Sequence, residues 1–263
     1  MTKKFDNIAR ATLLNDLDVK DYEFDGLNIK DIVVRQVTVK EVRGVISLFH
    51  YSRTMPDSTR FVYGGFIGDR LIGVICFGMG TSKKQYTSIL PDIEKGEYLE
   101  LTRVWCLHNA PKNTESMIIS KALKMLPPEI KLIISYADSS KGHCGIIYQA
   151  TNWYYLGTGR ANNKRLVDAE GHEHHVRLIS LYKERHPELR EYTSEQIMNM
   201  YGWKYADCGV KHRYVYLRGS KVEKKRMLKH FKDRIQDYPK CNKPDMLTDL
   251  DIIAENLGGL TNE

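Results

Sequence analysis

The clearest pattern of hydrophobic and polar positions lies between residues 98 and 157. Its periodicity predicts, in order, a strand at 98–107, a helix at 113–126, a strand at 131–136, a short helix at 144–153 and a final strand. Polar turns at 109–113 and 137–143 follow the first two strands. A βαβαβ unit of this length implies a mixed or parallel sheet with helices against it, and ligands then bind beyond the carboxyl ends of the strands. We therefore expect the functional site at these two turns.

The segments on either side complete a mixed sheet. Residues 31–38 predict a strand, and 39–51 predict an amphipathic helix whose apolar face is Val42, Val45, Ile46 and Phe49. Gly68-Asp69 joins strands 61–67 and 70–79 into a hairpin, and 210–219 returns as a strand. This order of elements is similar to that of the GNAT family of N-acetyltransferases. The predicted fold class is α/β (α+β): a GNAT-like mixed central sheet flanked by helices.

The remaining segments suggest a division of the chain. Residues 1–28 are polar and predict an N-terminal arm, and 29–220 predict the catalytic domain. Within that domain the pattern weakens at 158–205, which we interpret as an insertion or lid. Residues 221–263 predict a basic helix, extending over 221–237, and an acidic tail.

Composition narrows the function only slightly. The 263-residue chain has a formal net charge of +7, which suggests a polyanionic partner such as nucleic acid, although many proteins with this charge bind none. The five cysteines are widely spaced and form no CxxC pair, so reduced thiols are expected. There is no apolar leader and no window long enough to span a membrane. We expect a soluble protein of the cytoplasm (the host cytoplasm, if it is phage-encoded).

The 137–143 turn carries the strongest group of reactive side chains. Asp138 and His143 follow a strand end, where a carboxylate and an imidazole can orient an amine or take its proton. The alternative is that Asp138 caps the next helix and His143 is a loop residue. Tyr148 could donate a proton to a leaving group, or it could pack on the sheet as an ordinary aromatic residue.

Two further features could hold an anion. Glu100 and Arg103 are an odd number of positions apart, so they are predicted on opposite strand faces, and Arg103 could hold a phosphate or carboxylate. The helix start at 113–116 has free N–H groups and a favourable dipole. It lacks the Gly-rich loop of ordinary acetyl-CoA binders.

The histidines have simpler interpretations. His50 closes the first helix, where a charged imidazole would favour the helix dipole. His172, His174 and His175 could bind a metal with Asp168 or Glu173, but no second ligand pair has a recognised spacing. We prefer a solvated loop and predict no metal. Basic stretches with interleaved aromatic residues, GRANNKRL, VKHRYVYLRGSK and KKRMLKHFK, are typical of nucleic-acid surfaces and equally of solvated faces.

The combination of several motifs carries a family resemblance. SYADSSKGHCGIIYQATNWYYLGTG, LTRVWCLHNAPKNTESMIISKAL, FHYSRTMP and VKHRYVYL together resemble the Mom family of bacteriophage DNA-modification proteins, over about residues 31–220. The resemblance implies a GNAT-like fold. It also implies an enzyme that converts adenine in phage DNA to N6-carbamoylmethyl (acetamido-type) adenine, which protects the DNA from host restriction.

The resemblance also implies roles for individual residues. Asp138 and Tyr148 match a polar pair that is essential in the family, and the same pocket is matched by Arg103, Ser116, His50 and Tyr51. We expect Asp138 to act as base or to orient N6, and Tyr148 to donate a proton or contact the base. The anionic donor would be held by Arg103, Asn113, Thr114 and Ser116. Contacts with double-stranded DNA are expected from Lys141, His143, Asn152, Lys211 and Arg213.

The sequence leaves alternatives open for both the donor and the function. The fold suggests an acyl-CoA, but without the Gly-rich loop another activated two-carbon or glycine donor is also open. Two rival functions remain: a GNAT-type N-acetyltransferase of a small molecule or protein, and a nucleic-acid-binding protein without catalysis.

Overall fold

The fold consists of a large mixed sheet and a small second sheet. The computed structural model describes residues 28–240 except positions 51, 53, 81, 108–109, 160–163, 170, 172, 177 and 208. The strands are β1 (Val33–Gln36), β2 (Thr59–Ile67), β3 (Arg70–Gly78), β4 (Tyr98–Cys106), β5 (Leu132–Asp138), β6 (Tyr154–Thr158), β7 (Lys164–Val167), β8 (Glu173–His175), β9 (Lys204–Asp207) and β10 (Lys211–Leu217). Within the described residues, seven strands pair in the order β1-β2-β3-β4-β5-β10-β6 and three in the order β8-β7-β9.

Helices connect and cover these strands. They are α1 (Val39–Phe49), α2 (Lys83–Thr87), α3 (Thr114–Met125), α4 (Ile146–Gln149), α5 (Leu178–Arg185), α6 (Ser194–Met200) and α7 (Lys221–Leu228). Short 3-10 turns lie at Ile29–Asp31, Ser139–Lys141, Pro187–Leu189 and Lys232–Arg234. The predicted mixed α/β sheet flanked by helices is confirmed.

Local sequence signals explain the first elements. Thr38 and Glu41 form a capping box that starts α1, and the predicted apolar face of this helix is buried. The hairpin β2–β3 turns at Gly68-Asp69 as predicted, with Gly68 at φ 57. This left-handed conformation is one that glycine adopts without a steric penalty.

Other predictions were wrong in detail. The segment between β3 and β4 contains α2. The basic helix α7 ends at Leu228, well short of position 237, and β10 lies between β5 and β6. The weakly patterned insertion forms the second sheet. This sheet has its own buried core, which consists of Leu166, Ile179, Leu189, Ile197, Met198 and Trp203. The domain boundaries stay a prediction, and 1–27 and 241–263 lie outside the described residues.

The cysteines differ from expectation at one position. Cys76 is a buried free thiol, whereas Cys144 is disulfide-bonded. The prediction of reduced thiols is therefore wrong for Cys144, and Cys208 and Cys241 lie outside the described residues. In the described part of the chain, every helix is too short or too polar to cross a membrane.

Near the centre of the large sheet, the parallel neighbouring strands β4 and β5 move apart. β4 and β5 are paired at Tyr98–Leu132, Leu99–Ile133 and Glu100–Ile134, and at no later position within the described residues. Beyond Glu100 the two strands diverge. Their main-chain groups no longer bond to each other there, so side chains near the opening can reach a ligand from either strand.

A bulge in β4 changes which side chains face each other. Leu101 pairs with Phe77 but Arg103 pairs with Cys76, so Thr102 is an extra residue in β4. Glu100 and Arg103 therefore lie on the same face of the sheet, and the prediction of opposite faces was wrong. The Arg103 charge accordingly lowers the pKa of the Glu100 carboxyl, against a larger rise caused by burial.

The two faces of the sheet are covered by different helices. Ile118 of α3 packs over Gly65 and Gly73 beside Cys106, which defines the α3 face. Trp105 is one position from Cys106 and packs on Phe49 of α1, with ring centroids 5.3 Å apart, which defines the α1 face. Arg103 lies two positions from Trp105 and so also belongs to the α1 face.

Gly145, just before α4, tests how tightly this region is packed. It has φ 83, and a Cβ there would overlap the Tyr214 ring and crowd Tyr148. We expect Gly145→Ala to lower the free energy of unfolding by about 2–5 kcal/mol, since a left-handed conformation and overpacking both contribute. Gly68→Ala, at φ 57 with no atom within 4 Å of the new methyl group, should lose only about 1–2 kcal/mol. Urea unfolding measures both, and equal losses would contradict the packing argument.

Candidate active site

Polar side chains from three neighbouring strands meet on the α1 face beside the opening between β4 and β5. Opposite residues of an antiparallel pair share a face, and Lys211 is paired with Asp138 and Arg213 with Tyr136. Side chains two apart on β5 also share a face, which links Asp138 and Tyr136 to Ile134 and hence to Glu100. We call these residues the α1-face cluster: Glu100, Arg103, Tyr136, Asp138, Lys211 and Arg213.

Electrostatic coupling agrees with this geometry. Burial raises the pKa of Tyr136, the Glu100 charge raises it further, and Arg213 opposes the rise. The Lys211 charge lowers the pKa of the Glu100 carboxyl, more strongly than Arg103 does. The cluster therefore combines two carboxylates with three cations and a phenol.

Asp138 is held from two sides. Its Oδ1 accepts hydrogen bonds from the Ser140 N–H (3.0 Å) and the Ser140 hydroxyl (2.6 Å), which caps the following 3-10 turn. Its Oδ2 accepts a hydrogen bond from Arg165 of β7 at 3.2 Å. Asp138 is 4% exposed. This carboxylate thus joins the loop after β5 to the inserted sheet.

Tyr148 lies on the opposite face of β5 from Asp138. Its hydroxyl is 2.8 Å from the Ser135 Oγ, which is also 2.8 Å from the Leu101 carbonyl oxygen. A serine hydroxyl has one hydrogen and a carbonyl only accepts. Both bonds form together only if Ser135 donates to Leu101 and Tyr148 donates to Ser135. The structure does not bring the predicted pair, Asp138 and Tyr148, onto one face.

His50 is buried and uncharged. Burial lowers its pKa to about 3, helped by the charges of Arg103 and His143. Its Nδ1 accepts a hydrogen bond from the Ser52 N–H at 3.1 Å, which places the ring hydrogen on Nε2. The interpretation of His50 as a charge favouring the α1 dipole was therefore wrong. Tyr51, predicted beside it, lies outside the described residues.

Arg103 fastens the loop after α1 to β4. Its guanidinium donates to the Thr54 carbonyl (2.8 Å), the Thr54 hydroxyl (3.2 Å) and the Thr102 carbonyl (2.6 Å). Because Arg103 is on the α1 face and Ser116 begins α3, the two do not converge on one anion site. The predicted joint donor site is thus divided between the two faces.

The start of α3 borders a cavity of about 250 Å³. Thr114 and Ser116 donate their hydroxyls to the carbonyls of Pro111 (2.6 Å) and Asn113 (3.0 Å), and Asn113 has φ 70. The polar residues of the cavity wall are Asn113, Ser116, Ser120, Thr151 and Asn152, with Tyr216 beside them. Asn152 therefore lies with the expected donor residues and away from Lys211 and Arg213.

The sequence that forms this site matches a known protein family. Residues 31–240 match the model of the Mom protein family. The chain belongs to the Mom family. It is 27% identical over 218 residues to the protein named methylcarbamoylase Mom of Escherichia phage Mu, which covers 82% of this chain and 86% of that protein.

Structural neighbours of this Mom family member are distant. A GNAT family acetyltransferase from Elizabethkingia anophelis, solved with acetyl-CoA bound, is 10% identical, with a TM-score of 0.40 over 72% of this chain and 99% of that one. A GNAT family acetyltransferase from Streptococcus pneumoniae is 8% identical, with a TM-score of 0.40 over 71% of this chain and 99% of that one.

The other residues predicted to contact DNA do not all lie together. His143 is exposed, and the side chain of Lys141 lies outside the described part. Among the described residues, the side chains of Lys211 and Arg213 make no hydrogen bond or ion pair, and the Nε of Arg213 is buried. These two cations are available to an anionic ligand.

The histidine segment differs from the predicted loop. Glu173–His175 forms β8, and His174 Nε2 is 2.7 Å from Asp168 Oδ2. His172 and the side chain of His175 lie outside the description, and the described residues contain no group of three His, Cys, Asp or Glu that could hold a metal.

Two residues of the candidate site were not predicted from the sequence. Ser135 was detectable as a polar residue inside the apolar run of β5, where a buried hydroxyl needs a partner. Arg165 was not detectable, because it reaches Asp138 from 27 positions away in a segment of weak pattern.

The buried neutral His50 predicts a specific pH dependence of stability. Its pKa is about 3 when folded and 6.5 when unfolded, so its contribution is complete above pH 6.5 and declines as the pH falls toward 3. Because of this group, we expect the free energy of unfolding to fall by about 2 kcal/mol between pH 7 and pH 5. Urea unfolding at both pH values should show that loss reduced in His50→Gln and retained in His230→Gln, an exposed control. The same loss in both variants would contradict the buried neutral state.

Proposed function

We propose that the chain is a DNA-modifying transferase that converts adenine in double-stranded DNA to N6-carbamoylmethyl adenine. The observation that carries this proposal is the match of residues 31–240 to the Mom family, together with the similarity to the phage Mu methylcarbamoylase. The matched segment contains the whole α1-face cluster. The product would protect phage DNA from host restriction, and the enzyme would act in the host cytoplasm.

The α1-face cluster supports a nucleic-acid acceptor. Within the described residues, the side chains of Lys211 and Arg213 make no hydrogen bond or ion pair, and Tyr136 lies between them and Glu100. Cations suit the phosphate backbone, and aromatic rings suit an unstacked base. An enzyme that modifies N6 must turn the adenine out of the duplex, because the amine is otherwise paired. Lys211 and Arg213 would hold the flanking phosphates.

The α3 face supports a separate place for the donor. The cavity beside Asn113 and Ser116 adjoins the N-terminus of the 12-residue helix α3, whose free N–H groups favour an anion. An acyl-CoA or another activated two-carbon or glycine donor would place its polar end there. Its reactive carbon would then reach the opening between β4 and β5, beside Tyr148.

Mass spectrometry of nucleosides tests the proposal directly. Plasmid DNA from bacteria that express the wild type should contain a heavier deoxyadenosine, and Asp138→Ala should abolish it because Asp138 organises the cluster with Ser140 and Arg165. Asp237→Ala, which removes an exposed carboxylate, is the matched control and should modify DNA normally.

The alternatives give different results in the same experiment. A GNAT-type N-acetyltransferase would leave deoxyadenosine unchanged and acetylate a small molecule or protein. A non-catalytic binder would retain DNA but modify nothing. Modification that persists undiminished in Asp138→Ala would remove Asp138 from the site.

DNA binding distinguishes the α1-face cluster from the basic helix α7. We expect Lys211→Ala with Arg213→Ala to weaken binding to a duplex and to reduce the slope of log K against log salt by about 2, one for each lost phosphate contact. Lys225→Ala with Arg226→Ala, two exposed cations of α7, is the control. Fluorescence anisotropy across a salt series measures both slopes. The larger change in the α7 variant would place DNA on that helix instead.

A further inference from the structure

Two carboxylates face the opening between β4 and β5, and they differ in how they are held. Asp138 ends β5, and Glu100 occupies the last position at which β4 pairs with β5. An amine that attacks the electrophilic carbon of the donor must lose a proton to a nearby base. The choice between the two carboxylates can be made from their hydrogen bonds.

Asp138 is poorly arranged to take that proton. Its Oδ1 already accepts two hydrogen bonds from Ser140, and its Oδ2 accepts one from Arg165. Both carboxylate oxygens are thus committed to hydrogen bonds that hold the loop after β5 and Arg165. The geometry is that of a residue that positions the loop after β5.

Glu100 is arranged in the opposite way. Among the described residues its carboxylate makes no hydrogen bond and no ion pair. Its Oε2 lies so close to Gly80 that a Cβ at that position would meet it at 2.7 Å, and the Tyr86 hydroxyl is beside it. The Tyr86 oxygen accepts a hydrogen bond from the Gly80 N–H at 2.8 Å. The absence of a side chain at Gly80 thus leaves room for an unbonded carboxylate at the sheet opening.

We propose that Glu100 is the proton acceptor for the attacking amine and that Asp138 is a positioning residue. This rests on the proposed function. In the step, a bond forms between the exocyclic nitrogen and the electrophilic carbon of the donor. The bond from that carbon to the leaving group breaks, and its electron pair goes with the leaving group. The N–H proton passes to Glu100, which afterwards releases it to the leaving group or to water.

The surroundings of Glu100 suit that role. Burial raises the pKa of its carboxyl, while Lys211 of β10 and Arg103 of β4 oppose the rise. Tyr86 of α2 and Tyr136 of β5 also face it, and both have a raised pKa, chiefly through burial, so they stay neutral beside the carboxylate. A carboxylate of raised pKa accepts a proton more readily than an ordinary one. The charges of Lys211 and Arg103 favour its ionised form.

The test compares isosteric variants of the two carboxylates. Purified wild type, Glu100→Gln and Asp138→Asn are each incubated with a synthetic adenine-containing duplex and bacterial extract as the donor source, from pH 5 to pH 8. Modified deoxyadenosine is quantified by mass spectrometry. We expect Glu100→Gln to be slower by roughly 100-fold or more and to lose the rise of rate with pH. Asp138→Asn should be slower but should retain that rise, because its proton acceptor is intact.

Further measurements separate proton transfer from structure. Glu100→Gln should keep the wild-type duplex affinity and urea midpoint, since the substitution only removes an unbonded charge. Formate should partly restore the rate of Glu100→Ala, because a small carboxylate can occupy the space and accept the proton. A merely structural residue would not respond to formate.

The outcomes are distinguishable. A Glu100→Gln rate within about threefold of the wild type, or no response of Glu100→Ala to formate, overturns the role of Glu100 while leaving DNA modification intact. Loss of the pH dependence in Asp138→Asn instead of Glu100→Gln assigns the proton to Asp138. A wild type that forms no modified deoxyadenosine in the extract overturns the proposed function and this inference with it.

Discussion

The Ser135 hydroxyl bridges β4 and β5 at the point where their backbones stop pairing. The last backbone register is Glu100 with Ile134, and one residue further along each strand Ser135 donates to the Leu101 carbonyl. This bond satisfies a buried carbonyl that would otherwise face the opening. It also fixes the direction of the Tyr148 hydroxyl on the α3 face. The opening can therefore exist inside a packed sheet without leaving unpaired polar groups at its apex.

The opening divides the chemistry between two faces. The α1 face carries the cations, Glu100 and the organised Asp138, and the α3 face carries Tyr148 and the cavity beside Asn113. A transferase has two substrates of different character, and separate entrances keep them from competing for one surface. Under the proposed function, the reaction would take place where both faces are accessible, which is the gap beyond Glu100. The fold would thus supply the proximity that a bimolecular transfer needs.

The sequence predicted what short-range chemistry determines. Gly68-Asp69 and the Thr38–Glu41 capping box act within a few residues, so the hairpin and α1 were correctly located. The Thr102 bulge depends on how β4 meets β3, and the Asp138–Arg165 contact depends on a distant segment. Neither the bulge nor this contact produces a periodic pattern in the sequence. The loop after β5, where the site is predicted, follows Asp138, but the contact of Asp138 with Arg165 could not be predicted from the sequence.

The bulge at Thr102 has a consequence for how β4 tolerates change. A strand reverses its side chains with every residue, but in the bulge two consecutive residues, Thr102 and Arg103, lie opposite Cys76 alone. The extra residue is absorbed there, and everything after it stays in step with β3. Deleting Thr102 would therefore restore regular alternation and leave Arg103 and Trp105 on the α1 face. A relative of this chain whose β4 is one residue shorter can thus present the same two side chains, Glu100 and Arg103, on one face.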